Sequence, residues 1–297
     1  MSNGRVLSIQ SHVVHGYVGN KAAVFPMQLL GFEVDFINSV QFSNHTQYKC
    51  FKGQRLNSDE LNELFEGLRQ NDLLDYTHLL TGYVGNPNFL NKLGDLIEEL
   101  KKKNPNLIYL CDPVLGDNGK LYVSQDLISI YLERILPKAN IITPNVFELE
   151  IIYGSKIQNQ TDLINGIIDC HKKGIQTVIV SSSKPFEENK KDKLVLYASS
   201  LSNDNIIKIE FDRLPGTFYG TGDAFAAMLF AWLTKLNDLK TACEHTISAM
   251  LHILKRTNQF RTNEDELLEM KLIQSKTDIE NPEIIVSAEL MKRSSFN

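Results

Sequence analysis

The run Gly220-Thr221-Gly222-Asp223 is the clearest chemical signal in the chain, and an apolar helical stretch follows it directly. Two glycines let the backbone approach a ligand closely, and successive N–H groups at a helix start form a cradle for anions. A carboxylate would repel a phosphate, so Asp223 has a role only if it receives a hydrogen bond from an attacking hydroxyl group. The pattern therefore indicates phosphoryl transfer to an alcohol, although a plain glycine turn before an acidic helix start would give the same four residues.

Asp223 and its neighbours would divide the catalytic work between them. A free aspartate has a pKa of about 3.9, which is too low for strong base catalysis at neutral pH. We therefore expect Asp223 to orient the alcohol and to take its proton late. Charge in phosphoryl transfer spreads over the phosphoryl oxygens, and the N–H groups of Thr221, Gly222 and Asp223 are candidates to stabilise it.

Two other segments carry carboxylates next to predicted strand ends. Asp112 ends a strand and precedes a loop with glycines that runs to Tyr122, so it could hold a cation while the loop covers a nucleotide. Asn145 and Glu148 have the spacing of a helix capping box, N-cap and N3. A simple strand-to-loop turn and a purely structural cap remain alternative interpretations of these two segments.

Known nucleotide-binding fingerprints are missing from the sequence. It contains no G-x-x-x-x-G-K-[ST] and no G-x-G-x-x-G, so a kinase of this sequence must hold its nucleotide by another route. His12-x-x-His15 has no third ligand nearby, and a zinc site is not expected there.

Short apolar runs alternate with helical patterns along the chain, and several of these runs show no polar alternation. Strands buried on both faces have this pattern, which predicts an α/β fold with a mostly parallel central sheet between helical layers. The predicted strands are Arg5–Ile9, Glu33–Val40, His78–Val84, Leu107–Pro113, Asn140–Thr143, Thr177–Ser182, Leu194–Ser200, Ile206–Phe211 and a last run at Ile284–Val286. The predicted helices are Ser58–Arg69, capped by Ser58, then Pro87–Lys103, Ser124–Leu136, Thr161–Lys173, Gly222–Lys235 and Leu239–Arg256. In such sheets ligands bind beyond the carboxyl ends of the strands, where Ser11, Asp112, Thr143, Asn145 and Ser181 could converge.

Composition narrows the class of protein. The 297 residues are 42% hydrophobic and 23% charged, with a formal net charge of −5, so we expect a globular protein without a nucleic-acid or membrane partner. No linker rich in Pro, Gly or Ser divides the chain, and residues 1–297 are predicted to form one domain. Four scattered cysteines and a strand-like run close to Met1 favour a cytoplasmic protein with reduced thiols and no signal peptide.

Several segments together resemble the ribokinase-like superfamily and, within it, the pyridoxal kinase family. Gly220–Asp223 is typical of the superfamily as a whole, whereas Ser8–His12 and Val40–Thr46 are specific to the pyridoxal kinase branch. The full set of matching segments is Arg5–Val13, Gly16–Asn20, Asn38–Thr46, Leu80–Tyr83, Asp112–Asp117, Ile142–Asn145, Gly220–Asp223 and Gln274–Glu280.

The resemblance implies ATP-dependent phosphorylation of the 5′-hydroxymethyl group of pyridoxal, pyridoxine and pyridoxamine by a three-layer α/β/α enzyme. The implied vitamer site consists of Ser11, Val18, Val40, Phe42, His45, Thr46, Tyr83, Tyr122 and Asp223. The implied ATP site consists of Asp112, Asp117, Asn145, Ser181, Ser182, Phe218, Thr221 and Gly222. Mg²⁺ would lie near Asp112, Thr143 and Glu148, with K⁺ or Na⁺ as a monovalent cation, and the family is typically a cytoplasmic homodimer.

Other functions remain open from the sequence. A hydroxymethylpyrimidine or sugar kinase of the same superfamily is the nearest alternative, and a non-catalytic nucleotide-binding protein is a second. The joint presence of Asp112, Glu148 and Asp223 argues against loss of catalysis. A nicotinamide oxidoreductase would fit the strand pattern but lacks its glycine fingerprint.

Overall fold

One mixed sheet of ten strands runs through the computed structural model, which describes residues 4–186, 192–262 and 267–296, and two further strands form a separate sheet. The strands are β1 (Arg5–Val13), β2 (Glu33–Phe42), β3 (Gly53–Arg55), β4 (His78–Thr81), β5 (Ile108–Cys111), β6 (Gly116–Asp117), β7 (Lys120–Leu121), β8 (Ile141–Ile142), β9 (Thr177–Ser183), β10 (Lys193–Ser200), β11 (Asn205–Asp212) and β12 (Glu289–Lys292). The helices are α1 (Asn20–Leu29), α2 (Ser58–Gln70), α3 (Pro87–Lys103), α4 (Gln125–Ile130), α5 (Val146–Tyr153), α6 (Gln160–Lys172), α7 (Thr221–Leu236), α8 (Leu239–Asn258) and α9 (Lys276–Glu280). No described helix is both long and apolar enough to cross a membrane.

The sheet has a parallel centre and antiparallel margins. Its strand order is β12-β11-β10-β9-β8-β5-β4-β1-β2-β3, and the six strands from β9 to β2 are parallel. The chain passes from β1 to β2 on one side and then returns to β4 on the other side of β1. The order of connection therefore reverses at β1, and the crevice at its carboxyl end is the ligand position expected for this topology.

Side chains of the parallel strands alternate between two separate cores. Leu79, Tyr109 and Val178 point into a core shared with α2 to α6, whereas Leu80 and Leu110 point into a core shared with α1, α7, α8 and α9. This alternation is the period-2 geometry of a strand buried on both faces. The sheet is therefore covered by helices on both sides, as the three-layer prediction required.

The structure corrects three local predictions. Asn57, not Ser58, is the N-cap of α2, since its side chain accepts hydrogen bonds from the Asp59 and Glu60 backbones. The helix expected over residues 124–136 is α4 followed by a π-helical turn and a 3-10 turn that contains Pro137. Ile284–Val286 is not a strand, and the final strand is β12, which pairs antiparallel with β11.

Candidate active site

The first turn of α7 forms the floor of the site. Gly220 is its N-cap with φ 72°, a left-handed conformation that favours glycine. A Cβ at Gly220 would lie 1.8 Å from the Tyr17 carbonyl oxygen, so no larger residue fits. Residues 224–232 of α7 are all buried, which anchors this turn in the core. The backbone N–H groups of Thr221, Gly222 and Asp223 have no partner within the helix and are available to an anion.

Asp223 lies at the third position of α7, half-buried above this turn. Its carboxylate accepts a hydrogen bond from the Gly19 backbone N–H. Burial raises the pKa of Asp223 to about 6, and the Gly19 bond offsets only part of that rise. The sequence-based expectation of an ordinary aspartate pKa was therefore wrong, because it ignored desolvation. Asp223 is therefore a stronger base than a free aspartate, and its pKa lies closer to neutral pH.

Asp112 lies beside the same helix start, at the carboxyl end of β5. Its Oδ1 accepts a hydrogen bond of 3.1 Å from Thr143 Oγ1 at the end of β8. Its Oδ2 faces Gly222, 3.9 Å from where a Cβ on that glycine would stand. Burial and the nearby Asp223 charge raise the pKa of Asp112 to about 8, against the smaller opposing effect of the Thr143 bond.

Glu148 is the third carboxylate and is held by backbone donors. Oε2 accepts from the Asn145 N–H at 2.9 Å, and Oε1 accepts from the Leu115 and Gly116 N–H groups at 2.9 and 3.4 Å. The predicted capping box is confirmed, because Asn145 Oδ1 also accepts from the Glu148 N–H. Burial and the Asp112 charge raise the pKa of Glu148 despite these donors.

Asp112 thus lies close enough to Asp223 and to Glu148 for its charge to interact with both. Within the described residues no three His, Cys, Asp or Glu side chains form a cluster that could enclose a metal ion. Mg²⁺ usually binds through one or two carboxylates, with water and substrate phosphates completing its shell. Asp112 and Glu148 fit that donor set, and a divalent cation would offset the repulsion that raises their pKa values.

A small apolar cluster, here termed the apolar pocket, adjoins Asp223 across the Gly19 turn. Val13, Val40 and Phe42 form a small buried cluster, and Val18 and Tyr83 pack against it. A Cβ at Gly19 would lie 1.9 Å from the Ser11 carbonyl and 2.4 Å from its Oγ. Ser11 therefore stands next to the residue that donates to Asp223. The predicted vitamer residues Ser11, Val18, Val40, Phe42 and Tyr83 lie close to one another.

His45 lies in an aromatic cluster at the side of this pocket. Its ring is 4.7 Å from the Tyr48 ring and 4.6 Å from the Tyr219 ring, measured between centroids. Burial lowers the pKa of His45, even though the adjacent Glu269 charge acts in the opposite direction. The imidazole is thus held mainly neutral beside Tyr219, the residue that precedes the Gly220 turn.

A short hairpin stands over the carboxylates. β6 and β7 pair through a two-residue turn in which Asn118 and Gly119 have φ 50° and 79°, the conformation of a type I′ turn. Asn145 Nδ2 donates to the Gly116 carbonyl at 2.8 Å and ties the hairpin to the start of α5. Tyr122, next to β7, is half exposed, and burial together with the Asp117 charge raises its pKa.

The remaining predicted residues are less closely tied to this centre. Ser181 donates its backbone N–H to Pro144, while Ser182 and Thr46 are exposed. Asp117 bonds to Asn118 within its own hairpin. Phe218 forms an isolated bridge with Leu268 in the C-terminal segment. Their assignment to substrate or nucleotide stays a prediction.

Sequence reasoning missed the contacts of four residues that shape the site, which are Tyr17, Gly19, Tyr48 and Glu269. Gly19 was part of a quoted motif, but its hydrogen bond to Asp223 was not foreseen. Glu269 receives hydrogen bonds from the Tyr17 backbone and the Tyr48 hydroxyl. The partners are separated by 252 and 221 positions, so no local pattern could have revealed them.

Comparison with known proteins agrees with the fold. A family model described as phosphomethylpyrimidine kinase matches residues 47–267. The solved pyridoxal kinase of Leishmania donovani in complex with ADP and pyridoxamine superimposes with a TM-score of 0.89 at 32% identity, covering 97% of this chain and 99% of that one. At the level of fold, the molecule is a ribokinase-like α/β/α protein.

Sequence comparison narrows this class. Pyridoxal kinases of Ovis aries and Homo sapiens are each 47% identical over 307 residues, which covers 97% of this chain and 98% of each relative. The pyridoxal kinase of Arabidopsis thaliana is 46% identical over 296 residues, covering 96% and 94%. The chain belongs to the pyridoxal kinase family.

Proposed function

We propose that this protein transfers the γ-phosphoryl group of ATP to the 5′-hydroxymethyl group of pyridoxal, and also of pyridoxine and pyridoxamine, in vitamin B6 salvage. The position of Asp223 carries the proposal. Its carboxylate lies at an anion-binding helix start and is bonded to Gly19, which adjoins Ser11 in the apolar pocket. A ring bound in that pocket would present its hydroxymethyl group between the carboxylate and a phosphate.

Asp223 would accept the proton of the substrate hydroxyl as its oxygen bonds to the γ-phosphorus atom, and the ADP oxygen would leave with the bond electrons. A pKa of about 6 suits a group that is ionised at neutral pH and can still hold a proton after transfer. The backbone N–H groups of Thr221, Gly222 and Asp223 would stabilise the charge on the phosphoryl oxygens. Removal of one comparable donor costs about 2.7–4 kcal/mol in other enzymes.

Asp112, Thr143 and Glu148 would hold Mg²⁺ near the nucleotide phosphates, with Asn145 beside them. The ion supplies neutralisation of phosphate charge when it is bound. Glu148 already receives three backbone hydrogen bonds, so Asp112 has the greater free capacity and Glu148 would act partly through water.

Ring recognition would fall to the apolar cluster and to Ser11. Apolar contact would come from Val18, Val40, Phe42 and Tyr83. The Ser11 hydroxyl would supply a hydrogen bond to a polar ring substituent. His45 and Thr46 would close one side, and Tyr122 would close the top. For the nucleotide, Asp117, Ser181, Ser182 and Phe218 complete the proposed set.

The use of K⁺ or Na⁺, a homodimeric assembly and a cytoplasmic location belong to the proposal through the family resemblance. Turnover with and without each monovalent chloride, at constant ionic strength, tests the first. Light scattering after size-exclusion chromatography tests the second.

The deciding experiment mixes the protein with Mg-ATP and pyridoxal and follows the absorbance of pyridoxal phosphate. A panel with pyridoxine, pyridoxamine, a hydroxymethylpyrimidine and simple sugars, read by ADP release, addresses the alternative that the matching family model suggests. We expect the three vitamers to be turned over with far higher kcat/KM than the others. Preference for the pyrimidine, or ADP release without a phosphorylated product, would overturn the assignment.

A further inference from the structure

Glu269 joins three chain segments around the candidate site. It lies in the C-terminal segment after α8, and its side chain is only 13% exposed. Oε2 accepts from the Tyr17 backbone N–H at 2.9 Å, and Oε1 accepts from the Tyr48 hydroxyl at 3.0 Å. The Nε2 of His45 lies 3.2 Å from Oε1, a close polar contact rather than an aligned hydrogen bond.

The first of these segments is the loop of residues 14–19 between β1 and α1. The Glu269 carboxylate packs so closely against it that a Cβ at Gly16 would lie 2.6 Å from both carboxylate oxygens. Gly16 has φ 95°, so glycine is favoured there for its backbone as well as for space. The same loop ends at Gly19, which donates to Asp223, and it carries Val18 of the apolar pocket.

The second segment is the loop of residues 43–52 between β2 and β3. Backbone hydrogen bonds from Val14 to Phe42 and from His15 to Ser43 join the bases of the two loops. Farther out, Tyr48 and His45 contact the carboxylate. The Glu269 side chain therefore sets the separation of the loop tips on either side of the pocket.

The third segment adjoins the start of α7. Leu268, next to Glu269, forms a bridge with Phe218. Tyr219 follows Phe218 and its ring lies against the His45 ring at an angle of 34°, and Gly220 comes next. The carboxylate thus sits where both loops meet the chain that leads into the anion-binding turn.

We propose that Glu269 is a positioning residue for the phosphoryl transfer. Its side chain fixes the loops of residues 14–19 and 43–52. Gly19 then holds Asp223 in place, while His45 and Val18 hold the vitamer ring. The proposal rests on the proposed function, and it predicts a split between the two substrates. Loss of the carboxylate disturbs the ring pocket and the Gly19–Asp223 bond. The nucleotide residues Asp112, Thr143 and Glu148 belong to other strands and loops and stay in place.

The test compares Glu269→Gln with the matched control Glu280→Gln, an exposed glutamate at the end of α9. We expect Glu269→Gln to raise KM for pyridoxal by about tenfold and to lower kcat, because it weakens two hydrogen bonds to a charged group. KM for ATP should change by less than about twofold, because the nucleotide residues stay in place. A loss of folded protein would lower the apparent kcat and leave both KM values unchanged, so it cannot produce this split. An equal rise in both KM values, or behaviour like the control, would overturn the role.

Tyr48→Phe keeps the test decisive if Glu269→Gln does not fold, and a double variant extends the test if it does. Tyr48→Phe removes one donor and no charge, and it should show the same split with a smaller amplitude. Tyr48→Phe combined with Glu269→Gln should match Glu269→Gln alone, because Tyr48 acts through the carboxylate. Additive effects would show that the two side chains act independently and would contradict the proposal.

Amide hydrogen exchange supplies a readout that does not depend on turnover. Faster exchange at residues 15–20 in Glu269→Gln, with unchanged exchange in α3 and α6, is the expected result. If the wild-type protein fails to phosphorylate pyridoxal, the proposed function fails by itself, and the exchange comparison still decides whether Glu269 orders the loop. Unchanged exchange at residues 15–20 would refute the positioning role.

Discussion

Two groups of buried polar side chains lie near the carboxyl edge of the parallel strands, and they are built on opposite principles. Ser8, Gln10, Asn20 and Asn38 form a neutral network of hydrogen bonds between β1, β2 and α1. Ser8 donates to Asn20 at 2.8 Å, Gln10 donates to Ser8 at 2.9 Å, and Asn20 donates to Asn38 at 2.8 Å. Donors and acceptors are matched, so the network supports the fold without titrating.

The carboxylates Asp112, Glu148 and Asp223 form the second group. Burial raises the pKa of all three carboxylates. The Asp223 charge adds to the rise at Asp112, and the Asp112 charge adds to the rise at Glu148. Only hydrogen-bond donors oppose these shifts. Unbalanced negative charge is unfavourable for folding, and it prepares this region for a cation and for a proton from substrate. The matched network therefore holds β1, β2 and α1 together, while the unmatched carboxylates are suited to binding ligands.

The strongest test of the comparison is Asp223→Ala. We expect kcat to fall by about 10²–10⁴-fold, because the proton acceptor is lost, while pyridoxal and ATP still bind. Steady-state kinetics and ligand titration by fluorescence measure the two effects. Near wild-type turnover would remove Asp223 from the mechanism.

Asn20→Leu should have its main effect on stability. The substitution keeps similar volume but leaves Ser8, Asn38 and the Ile37 carbonyl without their partner, and each buried unpaired group costs about 1–3 kcal/mol. The free energy of unfolding from urea titration should fall by about 3 kcal/mol or more. Asn106→Leu on the surface is the matched control and should be near neutral.

Asp112→Asn should stabilise the protein and at the same time lower its activity. The raised pKa of Asp112 means that folding at neutral pH requires either proton uptake or an unfavourable buried charge, and asparagine requires neither, so the Tm without Mg²⁺ should rise. At the same time kcat/KM for Mg-ATP should fall by at least about tenfold, as expected when a metal's surroundings are altered. A lower Tm combined with unchanged kinetics would contradict the view of this carboxylate as a ligand group.

The pH dependence of turnover should report the ionisation of Asp223 directly. Because the pKa of Asp223 is raised to about 6, the ionised form that accepts a proton is present above that pH and is lost as the pH falls through it. At saturating Mg-ATP, kcat/KM for pyridoxal should therefore decline below about pH 6 rather than near the free aspartate value of about 3.9. A flat profile down to pH 4.5 would show that Asp223 is not the titrating base.

Ser11→Ala is expected to have the smallest effect. The neutral hydrogen bond that Ser11 offers the ring contributes about 0.5–1.5 kcal/mol, so KM for the vitamer should rise by a few-fold. KM for ATP should not change. Equal effects on both KM values would argue against a ring contact.

Local patterns in the sequence predicted much of the fold. Helix α3 has the predicted limits, Pro87–Lys103, because Pro at its start and lysines at its end are strong local signals. The N-cap of α2 was misassigned by one residue because Ser58 and Asn57 are both good caps, although the helix does begin at Ser58. Helix α1 was not predicted, and it contains Pro26, which obscures a helical pattern.

The candidate site was predicted in its residue types but not in its couplings. Asn145 and Glu148 could be paired from a spacing of three residues. The Gly19–Asp223 and Glu269–Tyr48 bonds join residues that are about 200 or more positions apart, and only chain topology decides such pairs. Burial, which sets the pKa values, is likewise a property of the folded chain.

The sequence by itself determined the α/β class, the glycine turn before a buried helix and the family, because each depends on residues that are near one another in the chain. The tertiary structure decided which loops meet, how far desolvation raises the pKa values of Asp112 and Asp223, and that Glu269 lies between Tyr17 and Tyr48. Hydrophobic periodicity and turn chemistry act over a few residues, whereas contact and dielectric environment arise only when distant segments pack together.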